Sequence, residues 1–429
     1  VGHGWTSEVL GCSATGWDSE EIEFSDETRQ LIAEVDGKRE LFYGVPTNTN
    51  LCLSNPKARE AFADRIVAYV QENPETDYLH IWLADATNNS CECENCRGLR
   101  PSDHYVTLLN RLDERLTEIG SSTRLVMLLY VDLLWAPVQN KIKNTDRFVL
   151  MFAPITRVYN ESFPDHYRKT EQPEYIHNGY ENPSSVDDNL VHFYAWKQIY
   201  HGDAVDFDYH LMWEHILDPG QETIARTAYA DIRNFKNLGF NGLISCQLQR
   251  NAFPSAIVMT TMAKTLWKRD TDFEQMRRRL YAATFGEEAV DKLCEYFATI
   301  SAGFDSAVIR DKKPLDKPVF TANLEKALKA MENIEGYIEA NQNKEDPCHN
   351  DSWKYLAIHR QLYIMLAKCL LARVKGDMEK SEEYRLQSQH FAFLHEDEVQ
   401  PVLDCMYYAH VTNTRIKFLK DDMQEAINL

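Results

Sequence analysis

The chain is short of positive charge. Its 46 Lys and Arg are outnumbered by 66 Asp and Glu, for a formal net charge of −20. That balance excludes a surface built to track a nucleic-acid backbone, which needs clustered Lys and Arg. Long apolar runs are missing as well. The strongest, Leu125 to Val138, is too short to span a bilayer and carries Asp132, so no membrane span is expected. Neither GxGxxG nor GxxxxGKS/T occurs. A doubly wound nucleotide-binding sheet would want such a phosphate turn, so no organic cofactor is expected. Fixed-period repeats and low-complexity segments are absent too. The sequence shows no initiator Met and no basic n-region followed by an apolar run. Its opening, VGHGWTSEVLG, reads like the interior of a domain, as though upstream sequence had been removed or belonged to a longer protein.

What is present is globular. The 429 residues are 44% hydrophobic and 26% charged, which suits one large α/β domain with an appendage, or two or three domains. Ten cysteines do not follow the regular framework of a small secreted domain. They lean toward a reducing, cytoplasmic setting, while a periplasmic or secreted one stays open if a leader had been removed.

Two styles of sequence follow one another. Up to about Gln249, short apolar runs alternate with helical patterns. Tyr78 to Asp85, Arg124 to Tyr130, Arg147 to Phe152, Ala204 to Met212 and Gly242 to Cys246 read as strands. Pro56 to Asn73, Asp103 to Ile119, Asn189 to Tyr200 and Gln221 to Leu238 read as the helices between them. Near-continuous apolar strands alternating with helices imply a parallel sheet covered on both faces. After about Pro254 only helical patterns remain. The expected division is therefore a barrel-like domain over 1–253 and an all-helical C-terminal domain over 254–429, the latter a candidate surface for a homo-oligomer.

Five strands do not close a barrel of eight, but Val1 to Trp5 reads as the tip of a further strand. With two and a half βα units upstream, the visible tips become those of strands three to eight of a (β/α)8 TIM barrel. In that fold the site is built at the C-terminal strand ends. His3, Trp5, Asp85, Asn88, Tyr130, Asp132, Arg157, Tyr159, Asp208, His210, Trp213 and Glu214 all fall there.

HGWTSEVLG, NLCLSNPKARE, WLADATNNSCECENCR, APITRVYN and MTTMAKTLWKRDTDFEQMRRRLYAATFGEEA follow in that order over Val1 to Ala302. Together they resemble an uncharacterised bacterial family of TIM-barrel glycoside-hydrolase-like proteins. That family is related to α-glucuronidases and, more distantly, to β-hexosaminidases. The resemblance implies a barrel and a saccharide substrate, containing a uronic acid or an N-acetyl sugar. Hexosaminidases of this kind carry adjacent acids after the fourth strand. Here Asp85 is followed by Ala86 and Thr87, so substrate-assisted chemistry is not supported.

Most glycosidases need two carboxylates flanking the scissile bond. Asp85, at the end of the fourth strand, and Glu214, after the seventh, are the candidate pair, with Asp85 as acid and Glu214 as nucleophile or base. The competing readings are a loop cap for Asp85 and a salt-bridge partner for Glu214. His3, Trp5, Asn88, Tyr130, Arg157, Asp208, His210 and Trp213 are candidate substrate contacts: flat faces for stacking, polar groups for hydroxyls, and an Arg fork for a carboxylate. A non-catalytic saccharide-binding barrel is the alternative.

The sharpest local signal is Cys91-x-Cys93-x-x-Cys96. With Cys52 as a distant fourth ligand, it matches a structural zinc site. A disulfide from Cys52 and reduced, unligated thiols are the competing readings.

Overall fold

Strands form where both faces of an apolar run are covered, and the computed structural model places five of them in one parallel sheet. It describes residues 2–168, 171–342 and 345–419. The strands are β1 (Tyr78–Ile81), β2 (Arg124–Leu129), β3 (Phe148–Phe152), β4 (Ala204–Asp208) and β5 (Gly242–Ser245), ordered as in the chain. Pairing is parallel, with Leu79 opposite Leu125, Met127 opposite Leu150 and Met151 opposite Val205. The order never reverses, so the sheet has no topological switch point of the kind that seats nucleotides in doubly wound folds. All five residues of β3 are buried, as expected for a strand covered on both faces. In β4 the pattern alternates: Ala204, Asp206 and Asp208 are buried, whereas Val205 and Phe207 are half-buried.

Helices begin where the sequence supplies caps. Pro56–Glu72 starts at Asn55, whose side chain accepts the Lys57 amide, with Pro56 in the first turn. Val186–Lys197 starts with a capping box between Ser185 and Asp188. Beyond Pro254 the elements of the described residues are helices, among them Ile257–Trp267, Phe273–Phe285, Lys317–Asn333 and Pro347–Val374. None of the described helices is long and apolar enough to cross a membrane.

Contacts divide the chain into two compact units. The first holds 1–157, 167–207 and 239–244, and the second holds 158–166, 208–238 and 245–429.

The opening segment differs from the expected strand tip. Gly4–Leu10 is a helix, closed by Gly11 in the left-handed region at φ 74°. Trp5 packs edge-on against Tyr69 of the Pro56–Glu72 helix and gives its indole N–H to the His80 carbonyl. A helix lets Trp5 reach both partners. Val1, the head of the expected tip, lies outside the described residues.

Candidate functional site

The loop that follows β1 is held in an unusual conformation. After Ile81 the chain runs through Trp82, Leu83 and Ala84 to Asp85, and then Ala86 and Asn88 take positive φ values of 68° and 57°. After β2, Val131 sits at φ 42°, a region that β-branched residues avoid. Backbone strain of this kind costs about 1–3 kcal/mol per residue and gathers where surrounding contacts over-determine it.

Those contacts are explicit. Buried Asn89 donates to the Asp85 and Asn48 carbonyls at 2.6 and 2.8 Å. Its own side-chain oxygen accepts from Asn50, whose oxygen in turn accepts the Ala84 amide. The Asp85 carboxylate thereby projects from a braced turn. Its Oδ1 accepts the Ala86 amide at 2.9 Å and the Tyr130 hydroxyl at 3.1 Å, and its Oδ2 accepts the Trp17 indole N–H at 3.0 Å. His3 Nε2 lies 3.9 Å from Oδ1. The His3 ring leans on Trp82 and Tyr130, at centroid distances of 5.0 and 5.8 Å. Trp82 keeps a buried indole N–H without a hydrogen-bond partner.

A second carboxyl stands beside this turn. Asp132 Oδ2 accepts the Asn88 amide at 3.0 Å, and Asp132 itself is only 6% exposed. Burial pushes its pKa up to about 6, against the lowering effect of the Asn88 and Asp132 amides. Tyr175 and Tyr180 are raised by their own burial and then by the charge of Asp132.

Of the residues expected to touch substrate, His3, Asn88 and Tyr130 gather with Asp85 in this first unit. Asn88 spends its side chain on the Tyr180 backbone, accepting its amide at 2.7 Å. Trp5 belongs to the core at 1% exposure, and Arg157 is fully buried.

Asp208, His210, Trp213 and Glu214 belong to the second unit. There Tyr159 donates to Asp208 at 2.5 Å, and His210 Nε2 is 2.8 Å from Asp231, which also accepts the Phe163 amide at 2.6 Å. Asp208, His210 and Asp231 are all fully buried, with one ligand atom of each within 4.8 Å of the others. The set is an internal polar chain. Asp231 was not anticipated from the sequence, although an acid beside Ala228, Ile232 and Phe235 on one helical face was a readable sign.

Glu214 is 1% exposed. Its Oε1 accepts from Arg310 and from the Trp213 indole, which stacks on Tyr209 and lies under Arg415 at 4.5 Å. This is the salt-bridge reading of the residue. Its Oε2 has no hydrogen-bond partner, and Glu214 lines a pocket of about 150 Å³ with Asn160, Asp218 and Ser301. Glu214→Gln is expected to lower stability by about 3–5 kcal/mol, because Arg310 is left as an uncompensated buried charge. Urea unfolding followed beside activity checks it. Activity lost with stability unchanged would instead assign Glu214 to substrate.

The four cysteines meet as expected. Cys52, Cys91, Cys93 and Cys96 bring their sulfurs within 4.8 Å of one another, largely buried against Ala33 and Val35. The Cys52 sulfur lies 3.7 Å from that of Cys93 and 3.9 Å from that of Cys96. A tetrahedron of sulfurs about 2.3 Å from a central ion has edges of about 3.8 Å, whereas a disulfide needs about 2.05 Å. Polar groups surround the sulfurs: the Glu34 amide donates to Cys91 at 3.3 Å, and the Ser54 hydroxyl oxygen accepts from the Cys96 thiol at 3.0 Å. Hydrogen bonds from Cys91 and then Cys96 pull the Cys52 thiol down toward thiolate, and Arg39 adds to that effect. The cluster could hold a metal ion.

No curated protein matches the chain. Among solved structures, it is similar to a GH138 enzyme targeting pectin rhamnogalacturonan II, at 10% identity and a TM-score of 0.42. That likeness covers 81% of this chain and 47% of the enzyme, so the chain spans under half of that enzyme's length. Residues 30–298 match the model of a family described as a domain of unknown function, and with more than half of its length matched the chain belongs to this DUF4838 family.

Proposed function

We propose that this protein is a glycoside hydrolase, acting on a glycan that contains a uronic acid or an N-acetyl sugar. The observation that carries the reading is the pair Asp85 and Asp132. Two carboxyls stand at the ends of neighbouring parallel strands, on turns held at positive φ, in surroundings that treat them differently. Recessed Asp132 keeps its proton to higher pH and suits the general acid. Asp85, which accepts from Trp17, Tyr130 and Ala86, suits the nucleophile or base. An unreversed order of parallel strands also suits consecutive strands of a (β/α)8 barrel, the architecture we propose for the sheet. At the four cysteines we propose zinc in a structural role, since a full set of four sulfurs leaves no open position for chemistry.

A second reading makes Glu214 a reacting carboxylate within the second unit, favoured by its unpaired Oε2 beside a pocket. Hydrolysis of a panel of aryl glycosides and uronosides by wild type, Asp85→Asn and Glu214→Gln tests both. Asp85→Asn is expected to lower kcat/KM by about 10³ or more with folding unchanged, in line with a reacting carboxylate. Full activity in Asp85→Asn would overturn its assignment. No turnover of any substrate by wild type would favour a saccharide-binding protein.

A further inference from the structure

Trp17 is a large apolar side chain left 61% exposed, yet it is held in place. It lies between the Gly4–Leu10 helix and the short helix Asp26–Arg29, in a stretch without regular structure. Three bonds pin that stretch. The Thr47 hydroxyl, itself buried, donates to the Gly16 carbonyl at 2.7 Å. Gly16 turns the chain at φ 85°, and the Glu20 amide donates to Gly44 at 2.8 Å. The third bond is the indole N–H to Asp85 Oδ2 at 3.0 Å. An exposed indole tied edge-on to a candidate reacting carboxylate presents a fixed flat apolar face beside that carboxylate. Sugar rings carry apolar C–H faces that such a surface covers.

Charge narrows the class of ring. Asp18, Glu20, Glu21 and Glu23 follow Trp17 within six residues, and all but the half-buried Glu20 are exposed. Their field repels an anionic ring and leaves a neutral one unaffected.

We propose that Trp17 is the stacking platform for a neutral sugar ring of the substrate, seated next to Asp85. This rests on the glycan-acting reading above and names which part of the glycan lies there. Any uronic acid of the substrate then occupies a different position.

The test is calorimetric titration of the full chain with neutral gluco-, galacto- and rhamno-configured di- and trisaccharides, and with di- and trigalacturonate. Trp17→Ala and Trp17→Phe are compared with wild type, and KM and kcat on aryl glycosides are read alongside. A ring face covering on the order of 80 Å² gives an expected weakening of about 30-fold in Trp17→Ala. Trp17→Phe keeps a flat face and is expected to stay within about threefold of wild type in affinity. Unchanged affinity in Trp17→Ala, tighter binding of the galacturonates than of every neutral sugar, or no binding of any neutral sugar by wild type would each overturn the platform. An equal fall of kcat in both variants at constant KM would also overturn it, making Trp17 a positioning residue for Asp85. Binding without hydrolysis would uphold the platform and sink the hydrolase reading, whereas hydrolysis indifferent to Trp17→Ala would do the reverse.

Discussion

Asp132→Asn is expected to slow hydrolysis of substrates with poor leaving groups by about 10²–10⁴, the usual contribution of a positioned general acid. Substrates with good leaving groups should lose far less, because they depart without a proton. Asn keeps an oxygen for the Asn88 amide, so the tie between the two strand-end turns survives the change. The same substitution should stabilise the folded chain at neutral pH. Asp132 titrates at about 6 when folded, above the ordinary 3.8, because burial disfavours its charged form. Its folded value is the higher one, so its contribution is fully present below the unfolded value and is lost as pH rises through 6. At pH 7 the buried carboxylate therefore costs up to about 3 kcal/mol, which a neutral amide avoids. Few other charges offset this. Tyr175 and Tyr180 face Asp132 as neutral phenols, and Arg100 stands over the far Tyr175 ring at 5.7 Å. Denaturation midpoints near pH 4 and near pH 7.5, with leaving-group series on both proteins, check the two halves together. Equal losses on all leaving groups with lowered stability would make Asp132 a loop tie and remove it from the chemistry.

Much of this arrangement was legible in the residues themselves. The buried strands were, because apolar runs such as Leu125 to Leu129 and Phe148 to Phe152 leave a covered sheet as the plausible home. The helices after Pro254 were too, with Ile257–Trp267 and Phe273–Phe285 matching their expected limits. Asp85 could be singled out because it ends such a run. What a side chain at a strand end then does is set by residues distant in sequence. Glu214 and Trp213 are met by Arg310 and Arg415, some hundred and two hundred positions on, contacts that no local pattern announces. Trp5 followed the strand-tip expectation until Gly11 closed a helix around it. Trp17 carried no periodic or capping sign, since it lies in an irregular stretch whose course depends on Thr47 and Gly44.

Purified protein is expected to carry about one zinc per chain, and Cys52→Ser or Cys91→Ser to lose it together with the fold of the first unit. Cys52 is the informative ligand, because it alone comes from outside the Cys91 to Cys96 loop. Its segment is already stitched to the preceding one: Ile32 bridges Leu51, and the Cys52 amide donates to Leu31 at 2.7 Å. The other three sulfurs belong to the loop that leaves Asn89, the brace of the Asp85 turn, after a single residue, Ser90. The Glu92 amide ties that loop to Glu34 at 2.7 Å, and Asn178 ties it through Ser90 and Glu92. A metal at the sulfurs therefore joins two chain segments, the one that carries Cys52 and the loop from Cys91 to Cys96. Structural zinc supplies apparent binding energies on the order of 10 kcal/mol, and what it supplies is folding energy. Four thiolates around a divalent ion leave an excess of negative charge, which Arg39 and the Glu34 amide offset. Elemental analysis gives the stoichiometry, and melting curves with and without a chelator give the energy. A chelator that lowers the melting temperature and abolishes hydrolysis together, both restored by zinc, is the outcome expected if the ion holds the Asp85 turn. A metal-free preparation with wild-type stability would leave the four sulfurs as ordinary buried thiols, and the Asp85 turn would then rest on hydrogen bonds such as those of Asn48, Asn50 and Asn89.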